Sequence, residues 1–154
     1  MTNETVTVTF DGPLAILVMQ HAPHNLLSPP LMDGVIAGLA SAEKAGSRAV
    51  LIKSGLRHFS AGADISLFEA AMGDGDGLTT IPLDFLKALE GFPKPIVASI
   101  HGVCVGGGLE LALACDLIIA ARSSKIGSVE ATIGLNPLMG GVQRQVQRAG
   151  ALRA

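Results

Sequence analysis

Gly106-Gly107-Gly108 breaks the longest apolar stretch of this chain, Ile96 to Ala121, into a strand pattern before it and a helix pattern after it. Ile96 to Ile100 is a short apolar run following Pro93 and Pro95, which reads as a buried strand. Gly107 to Cys115 predicts a helix, and Leu117 to Ala121 returns to a strand. Such an alternation demands an α/β layering in which each element covers the apolar face of another. His101, Glu110 and Asp116 lie inside the stretch and make it too polar for a membrane span.

The rest of the chain repeats this pattern. Thr5 to Phe10 alternates Thr and Val, Asp11-Gly12-Pro13 turns, and Leu14 to Met19 runs on, which together predict a hairpin. Ser28-Pro29-Pro30 predicts the start of a helix over Leu31 to Ala45, stopped at Gly46. Ala49 to Lys53 predicts a strand and Leu83 to Gly91 an amphipathic helix. Between them, Ile65 to Met72 leads into an acidic glycine loop, Gly73 to Gly77. Strand-strand-helix units recurring at this size predict stacked, quasi-repeated turns. From Gly141 onward, Val142, Val146, Ala149 and Leu152 form a helical apolar stripe that wants a partner.

Composition narrows the function classes. With 154 residues, 49% of them hydrophobic and 16% charged, the chain builds a packed core. A net charge of −2, five Phe and no Trp or Tyr give neither the basic footprint nor the stacking platforms of nucleic-acid binding. No signal-peptide pattern is present in Met1 to Phe10, and Cys104 and Cys115 read as buried thiols in a reducing compartment. The expectation is a cytoplasmic protein with no membrane partner and no metal site.

Two glycine turns carry the chemistry. One is His58-Phe59-Ser60-Ala61-Gly62-Ala63-Asp64-Ile65, directly after the strand that ends near Ser54; the other is the glycine triplet, directly after the strand that ends near Ile100. Both sit beyond strand ends, where α/β architectures place ligands. One backbone N–H from each turn, aided by the positive end of a helix dipole, would suit a developing oxyanion. Taken singly, each turn is also explained by a need for positive φ or close packing. Neither fits a nucleotide-binding fingerprint. Glu110 lies one turn into an apolar helix, where it points into a pocket or serves as a charge–dipole pair. Glu130 lies just past a strand, an ordinary place for a surface carboxylate as well as for an acid/base group. His58 and His101 precede the two turns and could line the site, but each is expected to be an exposed loop His or a hydrogen-bonded structural one; Asp64 and Asp116 read as ties to backbone N–H groups.

Taken together, Ala61 to Ile65, Gly102-x4-Gly107-Gly108-Leu109-Glu110-Leu111-Ala112, Cys115-Asp116, Gly127-x2-Glu130 and Gly140-Gly141-x-Gln143-Arg144 resemble the enoyl-CoA hydratase/isomerase (crotonase) family in order and spacing. The resemblance runs from about Val6 to Arg148. It implies one α/β core domain over residues 1–154, a spiral of stacked ββα units without the family's usual C-terminal helical region. It also implies an acyl-CoA thioester substrate, whose coenzyme A is part of the substrate and not a separate cofactor.

Carried over by residue, the resemblance implies Ala63 and Gly107 as oxyanion-hole donors, and Glu110 and Glu130 as the catalytic carboxylates flanking the attacking water. Ala61, Gly62, Asp64 and Ile65 would lie along the CoA. The presence of both glutamates favours a hydratase over an isomerase or another CoA-enolate reaction. Leu138 stands where the family usually carries a small residue, and would narrow the space for water and acyl chain. Family members form trimers, often stacked as hexamers, so a homo-oligomer is expected of a full-length protein. This chain is expected to be a fragment or a truncated homologue, and an inactive acyl-CoA-binding module is the third alternative.

Overall fold

The computed structural model describes residues 5–64 and 82–153. Ile65 and the acidic glycine loop lie outside the described residues. β1 (Val6–Asp11) and β2 (Leu14–Met19) form the expected antiparallel hairpin, with Gly12 turning the chain at φ +53°. α1 (Pro29–Lys44) begins on the predicted prolines, and the chain leaves it through Gly46 at φ +70°. β3 (Ala49–Ser54), α2 (Leu83–Glu90), β4 (Ile96–Ile100), β5 (Val103–Val105), α3 (Gly107–Ala114), β6 (Leu117–Ala120) and β7 (Lys125–Gly127) follow in order. A short 3₁₀ turn (Glu130–Ile133) and α4 (Gly141–Ala149) complete the described elements.

A five-stranded sheet runs β1-β2-β3-β4-β6, parallel except for the hairpin. A second, two-stranded sheet pairs β5 with β7 in parallel. The same second layer begins earlier in the chain, as isolated parallel bridges between Leu27 and Ala63 and between Ser60 and Cys104. After the opening hairpin, which puts two strands in the large sheet, each turn of the chain leaves one strand there and a shorter extended piece in the small layer. That is the stacking the repeat pattern predicts.

One expectation is refined. The glycine triplet follows β5 and not β4 directly. β5 and β7 are three residues each, too short for alternation to register in the sequence.

In β2 and β3 every second side chain is buried, and in β4 Ile96, Ala98 and Ile100 are. Leu31, Val35, Leu39 and Ala42 of α1, with Phe85 and Leu89 of α2, cover that apolar surface. Gly38 lets α1 come close: a Cβ there would lie 2.7 Å from Leu17 Cδ2. β6 is an edge whose Leu117 and Ile119 stay 59% and 63% exposed. Val142 and Val146 on α4 are also exposed, so the predicted stripe faces outward. Cys104 and Cys115 are free and buried, and burial pushes both thiols up to about 12, far from a reactive thiolate. No helix of the described residues is long and apolar enough to cross a membrane.

Leu17→Ala is expected to cost about 2–5 kcal/mol, whereas Leu117→Ala shifts stability by about 0.5 kcal/mol or less. Urea unfolding midpoints of the two variants measure the contrast, and equal losses would contradict the assigned core face.

Candidate active site

The turn from Ser60 to Asp64 is fixed from below by Asn25, which is fully buried. The Asn25 side-chain amide donates to Ser54 Oγ at 2.8 Å and to Phe59 O at 3.1 Å, and its Oδ1 accepts from His21 N at 2.8 Å. Ser60 Oγ donates to Asn25 O at 2.7 Å, tying the turn to the same residue. Leu27 N donates to Gly62 O and Asp64 N to Leu27 O, at 2.9 and 3.1 Å. Ala61 N donates to His24 O at 3.0 Å. Gly62 N donates to Ser60 Oγ at 3.3 Å, so the N–H groups on either side of Ala63 are used while its own is left without an acceptor among the described residues.

Opposite this turn stands the N-terminus of α3. Gly106 enters it at φ +54°, donating to Gly127 O at 3.1 Å and accepting from Glu110 N at 3.0 Å. The glycines that follow are required by contact. A Cβ on Gly108 would lie 2.5 Å from Ser60 Cβ and 2.9 Å from Ser60 O, and one on Gly107 would lie 3.2 Å from Ala63 N. Bare backbone thus lets the helix end press onto the turn. As the first residue of α3, Gly107 has an N–H with no intrahelical acceptor, and none is supplied by other described residues. Two unpaired N–H groups, Ala63 and Gly107, therefore sit on facing turns.

Glu110 is 4% exposed. Its Oε1 accepts from Met139 N at 2.7 Å and from Gly141 N at 2.9 Å, so it caps the start of α4 and not its own helix. A Cβ on Gly141 would lie 2.9 Å from Glu110 Cγ, so this glycine too is a condition of the contact. Burial raises the Glu110 pKa, and the nearby Glu130 charge adds to that; the N–H bonds from Gly141 and Met139 pull the other way. Glu130 opens the 3₁₀ turn after β7. Both of its carboxylate oxygens are buried with no hydrogen-bond partner, and Oε1 lies 3.9 Å from where a Cβ on Gly106 would stand. The structure thus brings Glu110, Glu130, Gly107 and Ala63 to one place. Chemically, the arrangement offers two N–H donors for an anion and two carboxylates, one tethered and one free.

Gly62 is buried at φ +112°, while Ala61, Asp64 and Leu138 are half-buried around this place. Sequence reasoning missed Met139. Its side chain reaches to 3.2 Å from the Cβ position of Gly107, and its N–H holds Glu110. The only signal was its place before Gly140-Gly141. His58 Nδ1 accepts from Val103 N at 3.2 Å, and His101 Nε2 lies 2.7 Å from Leu56 O, both structural as expected. Asp116 Oδ2 accepts from Ile96 N at 2.7 Å, the predicted tie. Among the described residues no group of three or more His, Cys, Asp or Glu is placed to hold a metal ion.

The enoyl-CoA hydratase/isomerase family model matches residues 11–154. A probable enoyl-CoA hydratase of Bacillus subtilis (strain 168) is 38% identical over 152 residues, covering 97% of this chain and 59% of the relative. Another from Rhizobium meliloti (strain 1021) is 33% identical over 160 residues, covering 100% of this chain and 60% of the relative. The chain thus spans about three-fifths of the length of these two relatives. A solved enoyl-CoA hydratase subunit I from Geobacillus kaustophilus HTA426 superposes with TM-score 0.86 at 29% identity, over 97% of this chain and 58% of that one. The α/β architecture is the crotonase fold.

The raised Glu110 pKa has a stability consequence of definite sign. Below its unfolded value the group is protonated in both states and burial costs little. As pH rises through the folded value the unfolded chain releases the proton more readily, so stability is lost. Glu110→Gln keeps an acceptor for the Met139 and Gly141 N–H groups and has no proton to lose. The melting temperature of wild type minus that of Glu110→Gln is therefore expected to fall as pH rises across this window. A difference independent of pH would show that Glu110 is not held in a desolvated place.

Proposed function

The chain belongs to the enoyl-CoA hydratase/isomerase family, and we propose that its site hydrates an enoyl-CoA thioester, adding water across the 2,3 double bond. One observation carries the reading: two mutually interacting carboxylates, Glu110 and Glu130, meet beside the unpaired N–H groups of Ala63 and Gly107. The thioester carbonyl oxygen accepts from both N–H groups, which face the negative charge that develops as water adds to C3. Losing one such donor typically costs ~10²–10³ in rate. Glu110 takes the proton from water, and Glu130 delivers a proton to C2. Burial helps Glu110, because a base whose pKa is raised toward the working pH holds its proton more firmly. The Glu130 charge adds to the effect of burial in holding a proton on Glu110.

Ala61, Gly62 and Asp64 would run along the CoA, and Leu138 would border the acyl chain. The exposed Leu117, Ile119, Val142 and Val146 suit burial in the homotrimer or hexamer expected of the longer relatives. Two unreactive, buried thiols suit a cytoplasmic setting.

A second reading is favoured by Glu130 alone. Both of its oxygens are unpartnered, which fits a single carboxylate carrying a proton between C2 and C4 in double-bond migration. Glu110→Ala that keeps migration and loses hydration would select this reading.

Hydration of crotonyl-CoA, followed by loss of the conjugated thioester absorbance, tests the main one. Glu110→Gln is expected to lower kcat by ~10²–10⁴-fold, and hydration equal to wild type would remove Glu110 from the mechanism. Protonated Glu110 accepts no proton, so activity is lost as pH falls through its folded pKa. The acid limb of kcat/KM is therefore expected above the ordinary carboxylate range.

A further inference from the structure

Arg144 lies in the first turn of α4, with a side chain only 15% exposed. Its guanidinium donates through Nη1 to Met139 O and pairs through Nη2 with Glu90, the last residue of α2. Gly140 makes this possible twice over. Its φ is +84°, and a Cβ there would stand 2.4 Å from Arg144 Nη1. Gly141 in turn clears the way for Glu110. The paired glycines therefore make room for two charged groups, one on each side of the same turn. Met139 is gripped by both: its N–H donates to Glu110 Oε1 and its carbonyl accepts from Arg144.

We propose that Arg144 is the positioning residue of Glu110: anchored on Glu90, it holds the Met139 carbonyl and so keeps the Met139 and Gly141 N–H groups aimed at Glu110 Oε1. The inference rests on the reading of Glu110 as the base. The Met139 and Gly141 N–H bonds both fall on Oε1, and the Leu138 N–H also favours the ionised carboxylate. Arg144 acts through the backbone, because its own partners are Met139 O, by a charge-assisted bond, and Glu90. The carboxylate charge that bears on Glu110 is that of Glu130.

The test uses the chain labelled with ¹³C at the glutamate carboxyls, with the Glu110 signal assigned by its absence in Glu110→Gln. Amide exchange at Met139 and Gly141 and the Glu110 titration midpoint are compared in wild type, Arg144→Met, Arg144→Lys and Glu90→Gln. Arg144→Met is expected to speed exchange at both amides about tenfold or more, while β3 and β4 amides exchange as before. It also moves the midpoint upward, because bonds to the ionised carboxylate are weakened. Arg144→Lys keeps a charge without the fork and falls between. Glu90→Gln, at a position 58% exposed, gives a smaller displacement in the same direction. It decides the matter if Arg144→Met does not fold. Unchanged exchange and midpoint in these variants would overturn the proposal. Crotonyl-CoA hydration measured alongside separates the two readings. A chain that hydrates nothing yet shows the displacements keeps Arg144 as positioning residue and removes the hydratase; lost hydration without displacement removes the positioning role.

Discussion

The contact on which the site depends is backbone against backbone. The end of α3 rests on the Ser60–Ala63 turn with no side chain at Gly107 or Gly108 to hold them apart, and a methyl at Gly108 would overlap Ser60. Helix ends and tight turns each leave N–H groups without partners. Ordinarily such groups turn to water or to a capping side chain, and here those of Ala63 and Gly107 face the same space. The large sheet exists, in this sense, to hold two loops at contact distance. β3 delivers the first loop, β4 and β5 deliver the second, and the buried Asn25 hydrogen-bond cluster fixes the first from beneath.

The two carboxylates differ in what they touch. Glu110 is pinned by the N-terminus of α4, whose unpaired N–H groups need an acceptor as much as the buried carboxylate needs donors. Glu130 is enclosed yet unpartnered, an arrangement costly to stability unless something else fills the space. One carboxylate is thus built into the architecture, while the other is left without a hydrogen-bond partner among the described residues.

Much of this was legible from residue types. Proline and glycine punctuation placed α1 and the hairpin, and the strand-strand-helix recurrence anticipated the stacking. The small, apolar helix face on which Glu110 stands points it inward, and it is buried. The sequence was silent where a contact is made between segments far apart in the chain. That Glu110 caps α4, that Met139 borders Gly107, and that Arg144 reaches Glu90 depend on how late turns fold back over early ones. β5 and β7 escaped notice for another reason: three residues show no period, and their pairing is visible only across the small sheet.

The pairing of β5 with β7 reaches further than its size. Gly106 leaves β5 and Glu130 comes three residues after β7 ends, so the parallel ladder delivers the glycine triplet and the second carboxylate from the same end. The N–H donors and Glu110 belong to earlier turns of the spiral, and Glu130 to a later one. Residues 128–138 in turn pack back on both: Val129 lies against Gly106 and Pro137 against Gly141, so a change of length in this segment would be felt at Glu110 as well as at Glu130. The small sheet therefore works as a shared hinge point: a shift of the β5–β7 pair moves Glu130 and the end of the glycine helix together.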